Sequence, residues 1–180
     1  PLGPSLGIQA QLPILLAEYP FRTQQDIADY LHLLQDLPRY FSDLIALEQE
    51  KSRQGVFQND LAVDGIIRQC SAFLADADTP ESHLLHTVFQ NKLQASSLFS
   101  EAERNLCLQT HEKLLTSCVF PAYRSLSDAL SSLRGKGTQN AGGLSRQEDG
   151  LSYYAYLLRS RVGVDASPEE LTRLLTQQLA

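Results

Sequence analysis

The stretch "SEAERNLCLQTHEKLLTSCVFPAYRSLSDALSSLRG", residues 100–135, decides the fold. Ser100 and Glu103 have the spacing of a capping box, in which each side chain satisfies a free backbone N–H of the other residue. Apolar side chains then recur every seven residues in two rows: Leu108, Leu115, Ala122 and Ala129, and Val119, Leu126 and Leu133. Two such rows form a packing seam about 50 Å long. The stretch therefore predicts one long central helix, bent at Pro121 because proline donates no helical hydrogen bond.

Helical start and stop signals also mark the segments on both sides of this helix. Thr23 and Asp26 predict a helix start, Pro38 predicts a break or kink, and a second helix then runs from Phe41 to Gly55. Four more helices are predicted. The first has an apolar face formed by Val63, Ile66, Ile67, Cys70, Phe73 and Leu74. The second begins after Thr79 and Pro80, the third contains the tyrosines of residues 150–162, and the fourth begins after Ser167 and Pro168. No segment alternates as a strand does. The predicted fold class is all-α, a bundle of about seven helices.

The chain is expected to form a single helical domain over residues 1–180, with a polar, glycine-rich connector at residues 135–150. It begins "PLGPSLG" without an initiator methionine and contains no methionine at all. Its last helix reaches Ala180 with no terminating glycine or proline. We therefore expect a piece excised from a longer polypeptide.

Composition excludes several functional classes. With 43% hydrophobic and 20% charged residues, the chain is typical of folded globular proteins. A net charge of -6 and scattered Lys and Arg residues argue against nucleic acid as a partner. The apolar runs are too short for a transmembrane segment. Three cysteines, an odd number, exclude a fully paired disulfide framework.

Reactive motifs are incomplete. His83 and His86 could share a helix face, but zinc needs at least a third ligand and none has suitable spacing. "HEKLL" at His111 lacks the second histidine of H-E-x-x-H, since Leu115 stands in its place. "GKGT" lacks the earlier glycine of a phosphate-binding loop, and no serine lies in a nucleophile elbow. The residues therefore predict no catalytic residue, metal site or cofactor in this chain.

The segment "DGLSYYAYLLRSRVG", residues 149–163, contains three tyrosines within four positions. Its helix is apolar around most of its circumference, which predicts that most of these side chains belong to the core. A buried tyrosine hydroxyl nevertheless needs a hydrogen-bond partner. The alternative is that at least one of the three faces a polar cleft.

The same segment resembles the signature of a bacterial family, domain of unknown function 885. The pattern begins at Gly143 and Leu144, and the matching positions downstream are Gly150, Tyr153, Tyr154, Leu157, Leu158, Arg159, Glu169 and Glu170. Residues 12–45 and "VFPAYRSLSDAL", residues 119–130, are similar to the helical first half of that family.

The resemblance implies a function that the residues alone do not. Family members resemble helical zinc metallopeptidases, often exported and lipid-anchored, whose H-E-x-x-H helix lies downstream of the tyrosine segment. This chain would then be the non-catalytic, N-terminal half that lines the substrate cleft, with Tyr153 and Tyr154 facing a peptide substrate. Zinc would belong to the full-length parent, and the partner would be the C-terminal remainder of the polypeptide. The alternative is a stand-alone helical module that binds a peptide or protein.

Overall fold

The computed structural model describes residues 1–137, 143–146 and 148–179. These residues contain seven helices and no strand, so the predicted all-α fold is confirmed. The helices are α1 (Ile8–Glu18), α2 (Gln24–Arg53), α3 (Asp60–Phe73), α4 (Leu84–Ala95), α5 (residues 101–133), α6 (Gly150–Leu157) and α7 (Pro168–Leu179). Two compact units result, Pro1–Gly137 with α1 to α5 and Thr138–Ala180 with α6 and α7. The single domain over residues 1–180 stays a prediction.

Helix α2 runs without interruption through Pro38 for 30 residues, so the predicted break there is wrong. Its start is as predicted, because Thr23 and Asp26 form both hydrogen bonds of a capping box. Leu34, Leu37 and Phe41 surround the proline in sequence, and all three are buried. Burying three such side chains contributes more than the roughly 3 kcal/mol that an interior proline costs.

The count of seven helices also depends on α1, which was not among the predicted helices. Residues 24–53 form one helix where two were predicted, and α1 makes up the number. A smaller correction concerns Thr79 and Pro80. They begin a short 3-10 turn, Pro80–Ser82, and α4 itself starts at Leu84.

Helix α5 is the predicted long helix, and it opens with the predicted capping box. Of its two apolar rows, Leu115, Val119, Ala122, Leu126 and Leu133 are buried. The irregularity near Pro121 is a π-helical turn, Leu115–Val119, in which the Phe120 N–H bonds to the Leu115 carbonyl five residues back. A proline ring collides with the carbonyl four residues earlier. The wider turn lies where that carbonyl, of Ser117, would meet Pro121.

Helices α2 and α5 lie side by side and run in the same direction. The Tyr30 hydroxyl lies 3.2 Å from His111 Nε2, and further along both helices the rings of Phe41 and Tyr123 are 4.8 Å apart. Helices α3 and α4 return along α5 in the opposite direction. Phe89 stacks on His111 with ring centroids 4.2 Å apart, and Phe73 stacks on Tyr123 at 4.1 Å.

Helix α1 is fastened to this core through its backbone carbonyls. The Tyr123 hydroxyl donates a hydrogen bond of 2.9 Å to the Gln9 carbonyl. At the other end of α1, Lys92 Nζ donates to the carbonyls of Ala17 and, at 2.8 Å, of Tyr19. Carbonyls at a helix C-terminus lack helical partners and attract cations.

The second unit begins with a 3-10 turn, Gly143–Arg146. Helix α6 continues into a π-helical turn, Leu158–Val162, and stops at Gly163, whose φ of +75° favours glycine. Ser167 and Glu170 form the predicted capping box of α7. Of the predicted connector, residues 138–142 and 147 lie outside the described residues. Within the described part of the chain, no helix is both long and apolar enough to span a bilayer.

The uninterrupted path of α2 predicts that Pro38→Ala stabilises the protein. Alanine restores the missing backbone N–H and removes the ring from a helix interior, which outweighs the greater freedom of the unfolded chain. We expect the free energy of unfolding to rise by about 2 kcal/mol in urea titrations. Gln35→Ala, an exposed change one turn earlier, should alter it by less than about 0.5 kcal/mol. An unchanged or lowered value for Pro38→Ala would mean that packing against α5 requires the proline.

Candidate functional site

The three tyrosines of α6 are on the surface, so the prediction that most of this segment is core is wrong. Tyr153, Tyr154 and Tyr156 are between 41% and 55% exposed, and Leu151 and Val162 are exposed as well. The segment's large buried side chain is Leu158. An apolar circumference predicts burial only if other elements surround it. Within the second unit, the other described residues leave most of this helix uncovered.

Two of the tyrosines form a pair on one side of α6. The rings of Tyr153 and Tyr156 stack with centroids 6.1 Å apart and planes 22° apart. Tyr154 follows Tyr153 directly and therefore points about 100° away around the helix. The arrangement offers aromatic faces and hydroxyl groups together on one short helix. A substrate contact by Tyr153 and Tyr154 stays a prediction.

His83 caps helix α4. Its Nδ1 accepts the Leu85 N–H at 3.3 Å, and its Nε2 lies 3.0 Å from the Phe73 carbonyl oxygen. A carbonyl can only accept, so the imidazole proton is on Nε2. Both nitrogens are therefore occupied by backbone groups, and this side chain is not free to bind a metal ion or a substrate.

A buried aromatic cluster around His111 is the polar feature that sequence reasoning missed. The His111 ring is fully buried, with Phe89 stacked on it and Tyr30 bonded to its Nε2. The His86 ring lies 5.6 Å away. The Nδ1 atoms of His86 and His111 have no hydrogen-bond partner among the described residues. Burial, followed by the nearby His86 and His83, lowers the pKa of His111 to about 3.

These histidines do not fit a zinc site. Zinc in proteins takes at least three protein ligands. His83 is occupied on both nitrogens, which leaves two imidazoles in the cluster. No three His, Cys, Asp or Glu side chains in the described ranges are grouped so as to hold a metal ion.

Two of the three cysteines, Cys70 and Cys107, lack the features of an activated thiol. Burial raises the pKa of Cys70 to about 12. Burial, and then the charge of Glu103, raises the pKa of Cys107 as well. A catalytic cysteine needs a shift in the opposite direction, toward the thiolate.

Two open grooves follow the outer side of the α2–α5 pair and meet at Ser117. One is about 510 Å³, lined by Leu31, His32, Leu114 and Cys118 among others. The other, about 250 Å³, lies beside Pro38 and Pro121. Leucine, proline and phenylalanine side chains give both linings apolar surface, between polar side chains such as His32, Lys113 and Ser125. Neither lining contains a cluster of acid and base groups.

The family model described as "Bacterial protein of unknown function (DUF885)" matches residues 3–180. The chain belongs to the DUF885 family. The resemblance at Gly150, Tyr153 and Tyr154 is thereby confirmed at the level of the family. No curated protein matches this DUF885 chain.

The fold of this DUF885 chain is shared with a solved structure. It is a crystal structure of a protein from Colwellia psychrerythraea that is provisionally described as a lipoprotein. The two share 18% sequence identity with a TM-score of 0.83, over 94% of this chain and 28% of the other. The DUF885 chain thus spans less than a third of the length of that protein. At this identity the likeness shows the fold alone.

The low pKa of His111 predicts a loss of stability in mild acid. The unfolded chain binds a proton near pH 6.5, whereas the folded chain binds it only near pH 3. Between these values the unfolded state holds more protons, so the free energy of unfolding falls as the pH is lowered. The expected slope is up to about 1.4 kcal/mol per pH unit. Urea titrations between pH 6.5 and 5 measure it, above the range in which most carboxylates titrate.

His111→Phe removes this titration and retains the aromatic stacking, so its stability should depend less steeply on pH. The matched control is His32→Gln, which changes an exposed histidine on α2 and should retain the wild-type slope. An identical slope in His111→Phe and the wild type would contradict the assignment to His111.

Proposed function

We propose that this chain is a non-catalytic helical scaffold that forms one wall of the substrate cleft in a longer, metallopeptidase-like bacterial protein. The observation that carries the proposal is the uncovered α6 helix. Aromatic side chains in such numbers are seldom left exposed unless they meet a ligand or another part of the protein. Tyr153 and Tyr154, which belong to the family pattern, are the proposed contacts to a peptide substrate.

The reactive residue types of the chain support a scaffold role rather than catalysis. His83 caps a helix and His111 is enclosed by aromatic rings. Cys70 and Cys107 are held in the thiol form by burial. Each side chain is used for packing or hydrogen bonding inside the bundle. We therefore assign no hydrolytic step to this chain.

The partner in this proposal is the remainder of the same polypeptide. The Colwellia protein is more than three times as long as the segment that this chain matches, since the match covers 28% of it. A C-terminal region of that kind would cover α6 from the other side and complete the cleft. Zinc, with its ligands, would belong to that region.

We also propose an exported, lipid-anchored protein of the cell envelope. Support comes from the description of the Colwellia protein as a provisional lipoprotein. Fractionation of cells that express the parent should recover it with membranes, and release by detergent but not by salt would distinguish a lipid anchor from surface adsorption.

A stand-alone module that binds a peptide is the second candidate. It is favoured by the grooves along α2 and α5, whose apolar lining suits a helical or extended peptide. The coding sequence beyond Ala180 discriminates between the two. A continuation of several hundred residues with H-E-x-x-H supports the scaffold, and a stop codon supports the module.

The scaffold role predicts two results with peptide substrates. The 180-residue chain should bind no stoichiometric zinc and cleave no peptide, whereas the parent should do both. In the parent, Tyr153→Phe or Tyr154→Phe should lower kcat/KM about tenfold, because each removes one hydroxyl that contacts substrate. Atomic absorption and a fluorogenic peptide library provide the measurements.

Tyr156→Phe is the matched control, since Tyr156 is exposed to a similar degree on the same helix, is not one of the two proposed contacts, and should leave kcat/KM unchanged. Turnover by the 180-residue chain would contradict the proposal. Equal kcat/KM for all three variants would contradict the proposal that the tyrosines contact substrate. A parent that cleaves no peptide would contradict the proposal that it is metallopeptidase-like.

A further inference from the structure

Helix α2 carries a row of apolar side chains along the edge of the bundle core, which includes Leu37. Leu33, Leu37, Tyr40, Leu44 and Leu47 alternate at spacings of four and three residues. We name these five residues the α2 seam. Leu37 and Leu44 are buried, whereas Leu33, Tyr40 and Leu47 are between 42% and 46% exposed. A 4-3 spacing with a mean of 3.5 residues is the pattern by which one helix packs along another.

A row of acids accompanies the seam. Asp29, Asp36 and Asp43 each lie four residues before an exposed seam residue, and therefore next to it on the helix surface. Glu50 continues the row after Leu47. With the seam residues in the a and d positions of a heptad, all four acids fall in g, the position whose charge selects the partner helix.

The central acids of this row are not neutralised by the bundle. Asp29 accepts a hydrogen bond from Gln25, and Glu50 is paired with Arg53. Asp36 and Asp43 contact no basic side chain among the residues that the structure describes. Arg39 lies one turn from each of them on the same helix but forms no ion pair with either. The two central carboxylates beside the exposed seam residues are therefore unpaired.

We propose that the α2 seam docks a cationic amphipathic helix from the remainder of the longer polypeptide. Leucine-like side chains of that helix would fill the spaces between Leu33, Tyr40 and Leu47, and its Lys or Arg residues would lie against the acids. The proposal rests on the proposed function in one respect, that the chain is part of a longer protein. It concerns a different surface from the tyrosine helix α6.

Charge complementarity excludes the other occupants of such a face. In an antiparallel pair of two copies centred on Tyr40, Asp36 of one copy would lie near Asp43 of the other, with like charges in contact. An anionic lipid surface would be repelled by the same row. A basic helix would avoid the repulsion between like charges and would also cover the exposed apolar side chains.

The test uses overlapping 30-residue peptides that cover the remainder of the parent, titrated into the 180-residue chain by calorimetry. One peptide, helical and net positive, should bind, and its Kd should rise steeply with salt. The triple variant Asp29→Asn, Asp36→Asn, Asp43→Asn should weaken binding at least tenfold. Changes in NMR chemical shift on titration of that peptide should centre on residues 29–50.

The matched control neutralises three acids on other surfaces, Asp76→Asn, Glu112→Gln and Asp128→Asn, and should retain the wild-type Kd. Leu33→Ala with Leu47→Ala tests the apolar half of the seam without touching the core, and should also weaken binding at least tenfold. Equal Kd values in the acid variant and its control, binding by no peptide, or dimerisation of the chain in sedimentation would each overturn the proposal.

Failure here and failure of the proposed function are distinguishable. If Tyr153→Phe impairs peptide cleavage by the parent but no peptide binds the seam, the docking proposal alone is wrong. If a basic peptide binds the seam and the tyrosine variants cleave normally, the cleft role of α6 is wrong and the docking proposal stands.

Discussion

The parallel contact between α2 and α5 is the interaction on which the first unit, residues 1–137, depends. It is fixed at two levels, by the Tyr30 hydroxyl on His111 and by the Phe41 ring on Tyr123. A chain that forms two parallel helices needs a connection that runs back along their full length, from the end of the first helix to the start of the second. Helices α3 and α4 supply it, and both pack on α5 as they return. Both helices of this interface contain an interior proline. Helix α2 continues through Pro38 without a break, and α5 widens into a π turn before Pro121.

The same interface determines what the polar side chains can do. A buried imidazole needs hydrogen bonds, and His83 obtains them from the Leu85 N–H at the start of α4 and the Phe73 carbonyl at the end of α3. His111 obtains one from Tyr30 and is otherwise enclosed by rings. Such side chains hold four helices together and are inaccessible to a substrate. Surface features are the remaining candidates for function among the described residues, and α6 and the α2 seam both expose apolar side chains.

Sequence patterns predicted well where helices begin, but they predicted poorly which helices pack against one another. The capping boxes at Thr23, Ser100 and Ser167 depend on residues three positions apart, so the sequence alone contains them. Pro38 was misread because the burial of Leu34 and Phe41 against α5, a long-range effect, outweighs a local one. The tyrosines were misread for the converse reason, since no local pattern shows which element covers a helix. His111 gave no signal, because its partners Tyr30 and Phe89 are distant in sequence.

Native-state hydrogen exchange tests the central claim most directly. The claim is that α2 and α5 form the core of the first unit and that the second unit leaves its own tyrosine helix uncovered. Amides of residues 30–41 and 111–126 should exchange only when the whole first unit unfolds, because these helical segments contain many of the unit's buried core side chains. Amides of residues 151–157 should exchange with much smaller protection in the 180-residue chain and become protected in the parent. Equal, high protection of all three segments in the 180-residue chain would contradict the account.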